Sequence, residues 1–289
     1  MTARIHEEIA QLFISKLEQG VVPWRCPWQK GQPVGLPHNA QSKRKYSGIN
    51  VVLAWLAAAE HGYANNGWLT YKQAQALGGN VRKGEKSTKI VFFQMLETTD
   101  KATGNAKTVP MLKWYSVFNV EQCDGLPAED AAPVVLNPDQ RDALADQMLR
   151  DTGATLKHGG ERAFYSPADD SITLPPFDKF VGRDEYYSTA FHELTHWTGS
   201  EKRLNRIKGK RFGDREYSFE ELVAELGATF MCADFGFTDC RDNSASYIAN
   251  WLSAFKSHPS MILTAASDAS KAHSYIADLV TAATTELAA

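Results

Sequence analysis

The sequence predicts an α+β protein in two domains, and three observations carry that prediction. The pentapeptide His192-Glu193-Leu194-Thr195-His196 marks a helix in the second half. Two strand-like runs, Lys89 to Leu96 and Thr108 to Val120, flank a turn-rich segment, Asp100 to Asn105, and mark a β-hairpin in the first half. Between the halves, Asp124 to Pro138 carries three prolines and a glycine with little periodicity, which places a boundary there. The expected organisation is an N-terminal unit at 1–125, a linker at 126–137 and a C-terminal unit at 138–289.

The elements follow in order. Ile5, Ile9, Leu12, Phe13 and Leu17 form the apolar stripe of a helix that ends at Gly20. A loop rich in Pro, Trp and basic residues runs to about Gly48, and a second helix spans about Ile49 to Glu60. A third, short helix starts after Thr70 as N-cap and stops at Gly78-Gly79. The hairpin completes the first half. In the second half Pro138 to Thr152 reads as a helix, followed by short strands near Thr155-Leu156, Ala163–Tyr165 and Ser171–Leu174, the last ended by Pro175-Pro176. The helix containing His192 comes next, then a basic loop from Glu201 to Arg215, a helix around Ser218–Phe230 and C-terminal helices.

Composition narrows the classes. The 289 residues are 43% hydrophobic and 22% charged, which is ordinary for a globular chain. The longest apolar run, Val51 to Ala59, has nine residues, about half of a membrane span, so no membrane partner is expected. The N-terminus carries acids and lacks the apolar core of a signal peptide. Cys26, Cys123, Cys232 and Cys240 form no CxxC pair and read as free thiols of a cytoplasmic protein. The net charge of -3 hides an asymmetry: residues 1–128 hold 15 Lys and Arg against 9 Asp and Glu, and the remainder is acidic. A basic half points to an anionic partner.

The strongest chemical signal is the pentapeptide. Histidines four apart lie one above the other on a helix, so both imidazoles can reach one metal ion. The expected ion is Zn2+, with another divalent ion such as Mn2+ as the alternative. Glu193 then sits beside the open coordination position, where a carboxylate can act as general base toward water. A third ligand should come from the helix Ser218–Phe230. Its apolar stripe is Phe219, Leu222, Val223, Leu226 and Phe230, and the other side carries Glu221, Ala224, Glu225 and Ala228. Small residues beside a carboxylate allow close helix approach, which makes Glu221 the expected ligand. Glu225, one turn on, would orient a histidine. Glu220 points about a third of a turn away and is the poorer ligand. Tyr187, Tyr217 and His258 are candidates to stabilise an oxyanion.

The basic half has a second pattern. Residues 24–89 hold ten Lys and Arg against Glu60 and Glu85, interleaved with Trp24, Trp28, Tyr46, Trp55, Tyr63, Trp68 and Tyr71. Cations track phosphates and flat rings stack on unpaired bases, so the mixture favours single-stranded DNA, with duplex held more weakly. The candidate contacts are Lys43, Arg44, Lys45 and Tyr46 in one cluster, Arg82, Lys83 and Lys86 in another, and Trp68. Two other readings stay open: the tryptophans plug a small core, or the basic patch meets an acidic protein.

Both halves together resemble the ArdC-type antirestriction proteins of conjugative plasmids, also described as a TraC-like, primase-associated group. The resemblance rests on Pro23-Trp24, Pro37-His38-Asn39, Tyr46 to Asn50, Trp68 to Gln73 and Leu77 to Lys86 in the first half. In the second it rests on His192 to Gly199 and Glu220 to Ala228. The second half is also similar to ImmA/IrrE-like peptidases, whose Glu-x-x-Ala-x-x-x-Ala pattern falls on Glu221, Ala224 and Ala228. The resemblance implies an N-terminal single-stranded-DNA-binding domain, a C-terminal zincin-like metallopeptidase domain and protection of incoming DNA from host restriction enzymes in a bacterial cytoplasm. It leaves the peptidase's protein substrate unnamed. The alternatives are a regulatory metallopeptidase that cleaves a repressor or DNA-bound protein, with the basic half as tether, and a binding module in which metal only staples the second domain.

Overall fold

The computed structural model describes residues 2–24, 35–99, 104–127, 141–206, 215–237 and 245–287. Cys26, Trp28 and Cys240, most of the expected linker and most of the basic loop before Arg215 lie outside them.

The first half opens with α1 (Thr2–Glu18), whose Ile5, Ile9, Phe13 and Leu17 are buried as their spacing predicts, while Leu12, at the margin of the stripe, is exposed. Strand β1 (His38–Asn39), helix α2 (Ile49–His61), strand β2 (Gly67–Leu69) and helix α3 (Tyr71–Ala76) follow. Thr70 caps α3 in a reciprocal box with Gln73, which satisfies backbone donors at both positions. Strands β3 (Asn80–Val81), β4 (Thr88–Thr99), β5 (Ala106–Asn119) and β6 (Cys123–Asp124) complete this half. A four-stranded sheet runs β1-β2-β5-β4, and β3 pairs with β6. Strands β4 and β5 form one long antiparallel ribbon in register from Thr88↔Val117 to Thr99↔Ala106. Its outer edge is covered at one point: the Asn50 amide accepts from Val91 N–H and donates to Val91 C=O, both at 2.7 Å, as a neighbouring strand would.

The second half holds α4 (Ala143–Asp151), strands β7 (Thr155–His158), β8 (Phe164–Ser166) and β9 (Ser171–Leu174), and helices α5 (Arg183–Thr198), α6 (Arg215–Phe235), α7 (Ala245–Ser257) and α8 (Met261–Leu287). The sheet order is β7-β9-β8, so β8 is an edge strand. One apolar core lies wholly in this half and joins α4, β9, α5 and the far end of α6.

The largest core draws on both halves. It contains Phe13, Trp24, Val52 and Trp55 from the first, and Leu222, Phe230, Trp251, Phe255 and Ile262 from the second. Trp24 stacks on Phe13 at 6.2 Å and meets Trp251 edge-on at 5.1 Å; Trp55 meets Phe230 at 5.9 Å. Polar ties reinforce this. Lys45 Nζ pairs with Asp234 at 2.7 Å, Gly48 N–H donates to Ser270 Oγ at 2.6 Å, and Gly35 N–H donates to Ala233 C=O at 2.8 Å. Two units along the sequence therefore share one interior in space.

Candidate metal centre

Helix α5 carries His192 in its second half and His196 in its last turn, and it is capped at Gly199. Thr195 donates to Phe191 C=O at 2.8 Å and Thr198 to Thr195 C=O at 2.7 Å, so the polar side chains on its buried side are satisfied within the helix. Helix α6 is buried all round from Leu222 to Ala233, with one side in the shared core and the other against α5. Each carboxylate in such a helix needs a partner, because an unpaired charge there costs several kcal/mol.

The partners are the two histidines. His192 Nε2 and His196 Nε2 face each other at 3.2 Å. Glu221 lies 3.6 Å from His192 Nε2 and 3.4 Å from His196 Nε2. Metal–ligand bonds of about 2.0–2.1 Å in a tetrahedron put neighbouring donors about 3.3–3.4 Å apart. The nitrogen pair and the two distances, one to each Glu221 oxygen, lie close to that length, so His192, His196 and Glu221 are near enough to share one divalent ion. The other ring nitrogens turn outward onto carboxylates: His192 Nδ1 to Glu225 at 3.7 Å and His196 Nδ1 to Glu220 at 3.5 Å. An acceptor at Nδ1 favours the tautomer that leaves Nε2 free to ligate.

Electrostatics agree with this arrangement. Burial disfavours a charged His196, but Glu220, Glu221 and Glu193 outweigh it and push it up to about 10. Burial likewise opposes the charged form of Glu221, yet His192 and His196 hold its carboxyl well below the usual range. Carboxylates packed on both histidines favour positive charge at this place, and metal binding there competes with protons for the same nitrogens.

Glu193 is almost wholly buried, and its Oε2 accepts the backbone N–H of Tyr165 at 2.8 Å. Tyr165 lies in the edge strand β8, so the sheet is tied directly to this carboxylate. Arg203 secures the same corner. It donates to Trp197 C=O at 2.6 Å, pairs with Asp170, and lies 3.9 Å over the Trp197 ring.

Glu221 and Glu225 stand where their helical spacing places them. Glu220, read from sequence as the poorer ligand, has a different place: it lies between His196 and Arg206, whose Nη2 donates to it at 2.9 Å. Arg206 also donates to Thr195 C=O and Thr198 Oγ1. Neither this bracket nor the Tyr165 contact is legible in periodicity. The signal that does exist is three carboxylates within two turns of a helix otherwise too apolar to face water. Among the oxyanion candidates, Tyr187 is excluded, because its hydroxyl is buried and bonded to Asp146 at 2.7 Å and Asp142 C=O at 3.0 Å. Tyr217 lies one turn before Glu221, and His258 sits in the turn between α7 and α8.

The expected DNA contacts separate into two groups. Lys43, Arg44, Lys83 and Lys86 are exposed. Arg82 is exposed and paired with Glu85 at 2.8 Å, and Lys45 is engaged by Asp234. Trp68 corrects the expectation of a stacking ring. It is 1% exposed, packed with Ala54, Ala58 and Val117 beneath the sheet. Tyr46 is half-buried between two cores; its hydroxyl is buried, and burial pushes the phenol up. Trp68 is a core plug, the other role its sequence context allowed, and Tyr46 is a second correction: it packs against both cores and does not offer a free ring.

Two histidines and a glutamate on adjoining helices, with a small sheet alongside, define a zincin-like metal site. A family model for a zincin-like metallopeptidase matches residues 143–268, and a model for the N-terminal domain of the anti-restriction factor ArdC matches residues 3–118. Among solved structures, the chain is similar to the antirestriction ArdC protein of plasmid R388. For the metal-free form the identity is 40% and the TM-score 0.84, over 96% of this chain and 97% of that one. For the Mn(II)-bound form they are 39% and 0.79, over 95% and 97%. An uncharacterised protein of Sinorhizobium fredii, y4eC, is 35% identical over 92% of this chain and 89% of its own length. Two Escherichia coli proteins named DNA primase TraC are each 37% identical over 94% of this chain, which spans only 20% and 27% of their lengths. The chain belongs to the ArdC family of antirestriction proteins. Among the described residues, no helix is long and apolar enough to cross a membrane.

Proposed function

We propose that this protein binds single-stranded DNA in a bacterial cytoplasm, shields incoming plasmid DNA from host restriction enzymes, and carries a peptidase-type metal centre in which Glu193 is the general base. The antirestriction reading is carried by one observation: the likeness to an antirestriction protein extends over 96% of the chain, not over one motif. The net positive first half, with Lys43, Arg44, Lys83 and Lys86 exposed, supports an anionic partner.

His192, His196 and Glu221 would hold the ion. When bound, a zinc or other divalent ion polarises a carbonyl and activates water. Glu193, fixed by the Tyr165 amide at one oxygen, keeps its other oxygen to take a proton from the attacking water and deliver it to the leaving amine. Glu220 and Glu225 hold the ring planes of the two histidines.

The test is fluorescence anisotropy of a labelled single-stranded oligonucleotide against the full chain, with duplex competitor, over a salt series. Binding that weakens steeply with salt and is poorly competed by duplex is expected. Absence of binding at low salt overturns the DNA reading. A plasmid-transfer assay with Glu193→Ala separates protection by coating from protection by proteolysis: retained protection assigns it to coating, and loss assigns it to cleavage of a protein substrate.

A further inference from the structure

The β4–β5 ribbon runs well past the core. Val91 and Leu112 are buried on one face and Val117 on the other, but beyond them large apolar side chains stand in water: Phe92 is 43% exposed, Phe93 58%, Met95 51% and Tyr115 47%. A two-stranded ribbon with exposed rings is unstable as a bare surface feature and marks a contact site. Strand alternation sorts its side chains. The register Ile90↔Tyr115, Phe92↔Lys113, Gln94↔Met111, Leu96↔Val109 and Thr98↔Lys107 puts Phe92, Tyr115, Lys107 and Lys113 on one face. Among the described residues of the two strands, that face carries no acidic side chain, whereas the opposite face mixes Lys89 with Glu97. The Phe92 and Tyr115 rings touch, with centroids 5.2 Å apart and planes tilted by 44°. Lys113, exposed, lies directly across from Phe92.

We propose that this face of the β4–β5 ribbon is the seat for single-stranded nucleic acid. The inference rests on the single-strand reading above and assigns its stacking surface to rings that neither basic cluster supplies, since Trp68 and Tyr46 are committed to the interior. Phe92 and Tyr115 offer exposed rings to unpaired bases, which a duplex keeps hidden in its stack. Lys113 meets a phosphate beside them. The exposed Lys113 beside the two rings selects a polyanion over an apolar protein surface, for which the Phe93 and Met95 face would serve as well.

The experiment titrates full-length protein into a fluorescein-labelled oligo-dT strand at low salt and follows anisotropy. Phe92→Ala with Tyr115→Ala should weaken binding by roughly 5- to 150-fold per ring. Lys113→Glu should weaken it about tenfold or more and flatten the salt dependence. Phe93→Ala, on the other face, should leave it within about twofold. All these side chains are exposed, so an unchanged thermal midpoint is expected and is measured alongside. If the wild-type chain binds and the double variant binds equally, the seat is wrong while the single-strand reading stands. If the wild-type chain does not bind, the single-strand reading fails and the seat with it. If the double variant instead converts a sedimenting dimer to monomer with DNA binding intact, the face joins two copies of the chain, and the proposal is overturned.

Discussion

Gly227 faces Thr195 so closely that a Cβ on the glycine would lie 2.6 Å from both Thr195 Oγ1 and Cγ2. Thr195 belongs to the His192–His196 pentapeptide, and Gly227 stands between the carboxylates and the far end of α6. This contact therefore sets the separation of the helices that carry the three candidate ligands. Gly227→Ala gains up to about 1 kcal/mol of helix propensity but must displace a threonine whose hydroxyl is already bonded, an overpacking cost of about 1–3 kcal/mol. Net destabilisation and weaker metal binding are expected, read by urea unfolding and zinc titration. A variant that is more stable, with unchanged affinity, would show that the contact relaxes freely.

Glu220 is bracketed by His196 and Arg206, and burial opposes its charge while His196 and Arg206 bring it below the usual carboxylate range. Arg206→Ala leaves that carboxylate short of a cation in the interior, at a cost of about 3–5 kcal/mol. Glu220→Gln keeps the shape and removes the charge, and metal affinity should fall by about 10- to 100-fold. Competition against a chelating dye measures the affinity, and scanning calorimetry the stability. Affinity within twofold of wild type in both variants would refute a role in holding His196.

Glu193 touches no metal donor at bonding distance among the described contacts; its oxygen is taken by the Tyr165 amide. Glu193→Ala should therefore bind zinc as tightly as wild type while any peptide cleavage drops by about a hundredfold or more. Mass spectrometry of a peptide library provides the readout. Retained cleavage would remove Glu193 from the mechanism.

Asp234 ties the halves together, taking Lys45 at one oxygen and His273 at the other, each at 2.7 Å. Burial raises its carboxyl, but His273 and Lys45 outweigh that and lower it overall. A group whose folded pKa lies below its unfolded value, about 3.9, binds more protons when unfolded in the interval between the two. Its contribution is thus complete above about pH 4 and lost as pH falls through the folded value. Asp234→Asn should cost about 1–2 kcal/mol at pH 7 and much less at pH 2.5, by urea unfolding at both. An equal cost at the two values would mean that the pair contributes shape alone.

The shared core predicts one unfolding event. Trp251→Ala empties the space against Trp24 and Phe255 and should cost about 3–5 kcal/mol. Unfolding followed by tryptophan fluorescence and by far-UV circular dichroism should coincide before and after the change. A chain ending at residue 125 would leave Trp24 and Trp55 without their partners and should fail to fold cooperatively. Two separated transitions in the full chain would show that the halves are independently stable.

Much of the fold is written in local pattern. The stripe from Ile5 to Leu17, the Thr70 N-cap, the two hairpin runs and the short strands around residues 155, 165 and 172 all fall where the structure has elements. The two-residue strands β1, β3 and β6 are absent from that reading, because pairing with distant segments makes them strands and two residues show no period. Trp68 and Tyr46 show the same limit: an aromatic beside basic residues has one sequence context whether it faces water or the interior.

The residues of the candidate centre are legible in spacing alone. Histidines four apart meet on one helix face by covalent geometry alone, and an adjacent helix with Glu221 and Glu225 one turn apart presents both carboxylates on one side. Their surroundings come from packing between elements. The burial of α6 on every side gave Glu220 to Arg206, and the edge of a small sheet brought the Tyr165 amide to Glu193. The packing of Trp24 on Trp251 merged two sequence units into one interior. Spacing along a chain specifies geometry within an element; contacts between elements depend on how whole apolar surfaces are removed from water, and no local period records that.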